Sequence, residues 1–341
     1  MTPRAAIPLA LGVVIAACGA GRSPCETAAP HPACVAVTIP RGASLAAAVD
    51  TLAADRVIGH PVLFRWYARL RGLGGSLKSG TYAFQQPESW SALYGALSTG
   101  RGLLVRFTVP EGLRMTEIAD LAQKELGVPR DSFLAAAGDS SVLSGLGLAG
   151  RAPSAEGYLF PTTYNVHPHP GARTLVRAMV QTFLLHWRPE WTSRLDSLHW
   201  TRQQLVTFAS IVEAEVRYPP DRPFVSAVYH NRLARGMKLE ADPTVIYAYG
   251  HRLKRVFERN LLVRSPYNTY LHAGLPPGPI CQPGDSSLTA ALYPAPVPWI
   301  YFVAQPDGKH IFSATFAEHE AAVNRVRRMR TAGPAPRVPA H

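Results

Sequence analysis

The stretch that most constrains this chain is Ala209–Val216, ASIVEAEV, which closes a run from Thr201 to Val216. Within that run Gln203, Leu205, Phe208, Ala209, Ile211, Val212 and Val216 recur with helical rather than alternating spacing. Stepping about 100° per residue puts Leu205, Phe208, Ala209, Val212 and Val216 in one sector, and Ile211 widens it. Glu215 falls inside the widened sector, between Ile211 and Phe208, and Glu213 falls on the opposite border. A carboxyl among apolar neighbours has its charged form disfavoured, so its pKa rises and it can give up a proton near neutral pH. That is the profile of a general acid. Two glutamates on a solvated helix edge would give the same letters, and periodicity alone leaves both readings open.

The 341 residues are enough for two domains and a large core. With 47% hydrophobic and 17% charged residues, the chain reads as folded and not disordered. Lys and Arg exceed Asp and Glu by 12, which suits nucleic acid, membrane headgroups or an anionic cell-wall polymer. There is no basic helix interleaved with aromatics, no zinc-finger spacing and no RNA-binding aromatic motif, so nucleic acid is not expected as a partner. The four cysteines, Cys18, Cys25, Cys34 and Cys281, show no C-x-x-C or Cys/His ligand spacing, so neither a metal site nor a cofactor is expected.

The first residues narrow the compartment. Arg4 precedes an apolar run of 13 residues, Ala5–Ala17. That is shorter than the roughly 20 residues of a spanning helix and looks like the apolar core of an export signal. Ile15-Ala16-Ala17-Cys18 resembles a bacterial lipobox, in which Cys18 would be lipidated. A short uncleaved anchor and plain secretion are the alternatives, and all three place the body of the chain outside the cytoplasm. Cys25 and Cys34 could then pair in an oxidising compartment, leaving Cys281 over.

Along the chain, Gly21–Pro32 reads as a tether and Val35–Ile39 as a strand. Ser44 can cap a helix over Leu45–Val57, and Pro61–Leu70 is helical with Val62, Leu63, Trp66, Tyr67 and Leu70 as its apolar face. Leu77–Phe84 turns at a glycine into strand formers, completing a βααβ order. Ser89 caps Trp90–Leu97, Leu103–Val109 is a strand, and Thr116 caps Glu117–Leu126. Ala155–Tyr164 is a rigid aromatic loop or short strand, and Arg173–Leu195 one long helix. Asp221–Arg235 is helical, and Asp242-Pro243 reads as an N-cap with Pro at N1 for Thr244–Tyr249. Asn260–Pro283 is Pro/Gly-rich loop, Trp299–Ala304 and His310–Phe312 a hairpin around Pro306-Asp307-Gly308, and Glu318–Met329 the last helix.

Seven motifs occur in order: FTVPEG (Phe107–Gly112), EGYLFPTTY (Glu156–Tyr164), ASIVEAEV, VYHNRL (Val228–Leu233), ADPTVIYAYG (Ala241–Gly250), SPYNTY (Ser265–Tyr270) and GLPPGPI (Gly274–Ile280). With the later YFVAQPDGKHIF they resemble the endolytic murein transglycosylases of the YceG-like (MltG) family, from about Thr38 to about Arg327. The resemblance implies an α+β chain, with a small LysM-like βααβ module followed by a larger mixed α+β catalytic domain. Residues 1–34 would be export signal or lipid anchor and tether, 35–105 the module, 106–330 the catalytic domain and 331–341 a disordered tail. It implies anchoring at the inner membrane, with the catalytic domain facing the periplasm or outer surface. The partners would be peptidoglycan glycan strands and, beyond them, cell-wall synthases. It implies cleavage between N-acetylmuramic acid and N-acetylglucosamine in nascent strands, leaving a 1,6-anhydro end. The family's essential Glu lies in the motif matched by ASIVEAEV; periodicity favours Glu215, with Glu213 the runner-up. Two features depart from the family: Thr162 stands where an Asp is usual, and a lipobox replaces the usual spanning helix.

A lytic transglycosylase needs only one acid, because the C6 hydroxyl of the sugar attacks its own C1 and returns a proton to the same carboxylate. Ordinary glycosidases need two. Within the matched motifs Glu156, Asn231, Asp242 and Asn268 are candidates for binding sugar hydroxyls or N-acetyl groups, and Tyr158, Tyr267 and Tyr270 for stacking on sugar faces. Against these stand core packing for the aromatics, helix capping for Asp242 and loop bracing for the two asparagines. His272, His310 and His319 read as surface or structural. The competing function is a catalytically silent peptidoglycan-binding scaffold that recruits synthases; a water-using muramidase is the third.

Overall fold

The computed structural model describes residues 25, 34–100, 102–148, 153–253 and 256–331. The export segment, the lipidation candidate Cys18, most of the tether and the tail beyond Thr331 lie outside them. Cys25 and Cys34 form a disulfide, and Cys281 is a buried free thiol. Among the described residues no helix is long and apolar enough to cross a membrane. The chain divides into two compact units, Met1–Val105 and Arg106–His341, and both mix helix and sheet.

The first unit runs β1 (Cys34–Ile39), α1 (Leu45–Ala54), α2 (Pro61–Leu70), α3 (Leu73–Ser76), β2 (Gly80–Gln85) and α4 (Trp90–Thr99). The Ser44 and Ser89 hydroxyls accept the orphan amides of Ala47 and Ala92, so α1 and α4 start where the sequence places them. β1 pairs antiparallel with β2, from Cys34 opposite Gln85 to Ile39 opposite Gly80. Val37, Ile39, Leu52, Phe64, Tyr82, Phe84 and Leu93 fill the space between sheet and helices. The strand–helix–helix–strand order is present, with the short α3 added. The face of α2 differs from expectation: Phe64 and Ala68, one turn apart, point inward. Val62, Leu63, Trp66 and Leu70 remain exposed, Leu70 at 84%. The helix is apolar on two sides, and the pattern alone does not tell which side is covered.

β3 (Leu103–Thr108) crosses the boundary between the units; its Leu103 and Leu104 pair with β2. The second unit continues α5 (Met115–Leu126), α6 (Arg130–Ala137), α7 (Ser140–Gly145), β4 (Thr163–Val166), α8 (Ala172–His186), α9 (Pro189–Leu198), α10 (Arg202–Glu215), α11 (Arg222–Ala234), α12 (Asp242–Ala248), α13 (Asp285–Leu292), the hairpin β5 (Tyr301–Ala304) and β6 (His310–Ser313), and α14 (Phe316–Thr331). α10 is its axis. Every residue from Leu205 to Val212 is buried, and the helix packs on α11, α12 and α13. It begins with a capping box: the Thr201 hydroxyl accepts the Gln204 amide while Gln204 Oε1 accepts the Thr201 amide at 2.8 Å.

Several expected boundaries move. The single helix over Arg173–Leu195 is two, because Pro189 has no N–H to donate and holds Arg188 extended. α5 starts at Met115 and not after Thr116; Glu117 reaches back to the Arg114 amide at 2.9 Å. Asp242 is the first helical residue of α12, and the N-cap position belongs to Ala241. α6, α7 and α13 are short and rich in Ala and Ser, too short for helical periodicity to register them.

Candidate active site

Glu215 is the last residue of the buried axis helix, which fixes its backbone. Tyr229 of α11 donates its hydroxyl to Glu215 Oε2 at 3.3 Å. The carboxyl opens onto a cavity of about 380 Å³ lined by Asp242, Tyr270, Arg232, Phe302, His319 and Arg330 among others. Burial pushes Glu215 up to about 7, and the Asp242 carboxylate adds to the rise. The Tyr229 hydrogen bond and Arg217 offset only part of it. The group is therefore about half protonated at neutral pH, able to deliver a proton and take it back.

Asp242 is exposed at the mouth, where it accepts the Tyr270 hydroxyl at 2.7 Å. The first turn of α12 and the loop carrying Tyr270 are locked together below the surface. Thr244 Oγ1 and Thr269 Oγ1 are 2.9 Å apart, and the Ala241 amide donates to Thr269 Oγ1 at 3.0 Å. The ADPT and NTY motifs thus act as one rigid piece presenting Asp242 and Tyr270 toward Glu215.

Glu213 is enclosed as well, but by partners of its own. Its Oε2 accepts the Gly284 amide at 3.1 Å and the Ser287 hydroxyl at 2.8 Å, and Arg222 Nη2 lies 3.4 Å from Oε1. It stitches α10 to α11 and α13, and every bond it makes is internal to the fold. Single-helix periodicity sees the apolar side of α10 and not the polar partners facing its other border.

The remaining candidates separate. Glu156 is buried, with Oε1 accepting the Met115 amide at 2.9 Å and the Gln282 side-chain amide, and Oε2 facing the Tyr247 hydroxyl at 3.4 Å. Burial raises it to about 7 despite those bonds and Arg114. It is an interior cross-link. Gly157 beside it has φ +85°, and a Cβ there would lie 2.5 Å from Pro279 and 2.9 Å from Val206, so only glycine lets the EGYLF and GLPPGPI loops meet on α10. Tyr158 is fully buried, edge-on to Phe183, with its hydroxyl on Gln203 at 2.8 Å. Asn231 donates to the Val297 and Trp299 carbonyls, both at 2.8 Å, and Asn268 to those of Leu261 and Val263 at 2.8 and 2.9 Å. Both amides brace loops. Tyr267 packs against Tyr247 with ring centres 4.8 Å apart.

The structure therefore gathers Glu215, Asp242 and Tyr270 and leaves the other candidates as framework. It adds Tyr229 and Arg232, both within VYHNRL. Arg232 donates Nε to the Ile300 carbonyl at 2.7 Å and Nη1 to Glu240 Oε2 at 3.0 Å. His310 is structural: its amide and Nδ1 both lie on Asp221 Oδ2, at 2.7 and 3.0 Å. His319 lines the Glu215 cavity, stacked on Tyr301, with a buried Nδ1 that has no hydrogen-bond partner among the described residues. No motif announced it. Among the described residues no cluster of three or more His, Cys, Asp or Glu could hold a metal ion.

Comparison with known proteins agrees with this architecture. The model of the YceG-like family matches residues 37–325. A Bacillus subtilis protein named endolytic murein transglycosylase is 32% identical over 307 residues, 84% of this chain and 83% of its own length. A Streptococcus pneumoniae protein of the same name is 27% identical over 319 residues, 85% of this chain but 58% of its own length. The crystal structure of a YceG-like protein from Listeria monocytogenes, 30% identical, aligns with a TM-score of 0.60 over 84% of this chain and 98% of that one. With the match running from the first strand into the last helix, this chain belongs to the YceG-like family.

Proposed function

We propose that this chain is an endolytic lytic transglycosylase of peptidoglycan, and that Glu215 is its acid and base. The observation that carries the reading is one carboxyl, raised to about 7 by burial, at the floor of a cavity next to a second carboxylate. The names of the relatives supply the reaction class. Glu215 gives its proton to the oxygen between N-acetylmuramic acid and N-acetylglucosamine, and the C1–O bond breaks. The C6 hydroxyl of the muramic sugar then bonds to C1 and its proton returns to Glu215, so no water is consumed. Asp242, held by Tyr270, places negative charge where positive charge develops at the anomeric carbon. Asn231, Asn268 and Glu156 keep the walls in place without touching sugar.

The rest of the reading rests on sequence. The strand–helix–helix–strand order of the first unit supports a LysM-like role in holding glycan. The apolar run ending at Cys18 supports lipid anchoring at the inner membrane, with the catalytic unit outside the cytoplasm and within reach of cell-wall synthases. The test is to digest purified glycan strands with the protein and weigh the new ends. Anhydromuramic ends on fragments of intermediate length are expected. Reducing ends would mean attack by water, and an absence of cleavage would leave a binding scaffold.

A further inference from the structure

A second hollow, of about 270 Å³, flanks the same α10–α12 junction. Gly112, Arg114, Ala214, Arg217, Pro243 and Arg252 contribute to its lining. Ala214 and Pro243 are the chain neighbours of Glu215 and Asp242, so the hollow begins one residue away from the acid. Three guanidinium groups meet there and they are held differently. Arg252 is gripped by Glu117, with Nη2 2.8 Å from Oε2 and Nε on Oε1, which fixes it and cancels its charge. Arg114 is buried and lies over the Tyr247 ring at 5.3 Å; burial pulls its pKa down, and it makes no ion pair among the described residues. Arg217 is exposed; its charge bears on Glu215, itself raised to about 7, and it forms no ion pair within 4.0 Å among the described residues. Two acids act on Arg114: Glu117, which is shared with Arg252, and Glu156, itself raised to about 7. The hollow therefore carries an excess of positive charge.

The hydroxyls and N-acetyl groups of a glycan are neutral, so the sugars themselves have no use for paired guanidinium groups. The anionic part of peptidoglycan is the peptide stem, borne on the muramic sugar a few atoms from the bond that breaks. We propose that this hollow is the subsite for carboxylates of that stem, with Arg114 and Arg217 as its specificity residues. The inference rests on the transglycosylase reading and adds a preference for stem-bearing strands. Guanidinium forks match carboxylates in geometry as well as charge, which a lone ammonium does not.

The test compares two preparations of the same strands, one with native stems and one with the stem carboxyls amidated. For the wild-type protein, kcat/KM for release of anhydromuramic ends should be about tenfold or more higher on the native strands. Arg217→Gln and Arg114→Gln should each erase most of that ratio. Taking the ratio removes any effect of Arg217 on the acidity of Glu215, because both substrates meet the same acid. Arg217 is on the surface, so its variant decides the matter if Arg114→Gln folds poorly. Equal rates on the two preparations by the wild type, or variants that keep the ratio, would overturn the subsite. Absence of anhydro ends from both preparations would instead remove the parent reading, and the subsite with it.

Discussion

Replacing Glu215 with glutamine tests the centre of the argument. The substitution preserves shape and an oxygen for the Tyr229 hydroxyl, and it removes only the transferable proton. With the carboxyl at about 7, half of the wild-type molecules hold the proton at pH 7, about one in ten at pH 8 and about one in a hundred at pH 9. The wild-type rate should therefore fall about tenfold per unit above neutrality. Positioned proton transfer contributes roughly 10²–10⁴, so Glu215→Gln should lose about 3–5 kcal/mol of transition-state stabilisation. Its residual rate should be flat in pH where the wild type declines. The fold should hold: a buried carboxyl with a raised pKa withdraws stability as pH climbs through about 7, and the amide does not. The assay is release of anhydromuramic ends from purified strands between pH 5 and 9, with thermal unfolding as the control for folding. A folded variant with more than a tenth of wild-type activity would refute the assignment. So would an alkaline limb that survives the substitution, which would point to Glu156, raised to the same range.

Three further outcomes follow from neighbouring groups. Asp242→Asn removes the second cause of the Glu215 shift but leaves burial, so the alkaline limb of the rate profile should move below pH 7 while staying above 4.5; an unmoved limb would mean that Asp242 does not bear on the acid. Glu213→Gln should cost about 2–4 kcal/mol of stability, read as a drop of several degrees in Tm, by loosening Gly284, Ser287 and Arg222, while the rate of the folded protein changes only a few-fold. Glu156 stabilises the fold most below pH 4.5 and loses up to about 3 kcal/mol as pH rises through about 7, so urea unfolding of Glu156→Gln should show a shallower decline between pH 5 and 8 than the wild type.

What the sequence carried was local. Ser44, Ser89 and Thr201 are caps because their hydroxyls satisfy amides three residues on, and such a signal needs no knowledge of the rest of the chain. Pro306-Asp307-Gly308 announces its hairpin in the same way, and β5 and β6 pair from Tyr301–Ser313 to Ala304–His310. The choice of Glu215 was legible because the apolar sector that singles it out lies on its own helix, whereas Tyr229, Asp242 and Tyr270 around its carboxyl come from elsewhere in the chain. The environment of Glu213 was not, since Arg222, Gly284 and Ser287 come from other elements. The same limit hid the framework roles of Asn231 and Asn268, whose acceptors are loop carbonyls, and the contribution of His319 from a helix outside every motif. On α2 the pattern announced a stripe, and only packing could choose between Phe64 and Trp66 for the interior.

The eight consecutive buried residues of α10, Leu205–Val212, bear on how this enzyme can change over time. A helix enclosed on all sides tolerates little exchange of side-chain volume, so drift along it is slow and its amides should open to deuterium only when the whole unit unfolds. The acid at its end is inherited with almost no freedom of placement. The opposing wall is built differently: Phe302, on a short hairpin, packs on that interior through Tyr229, whereas His319 and Arg330 stand on a helix with two buried residues, Ala322 and Val326, and can be replaced with less disturbance to the interior. Divergence in the choice of substrate should accumulate on the last helix, while the chemistry stays where the buried helix puts it.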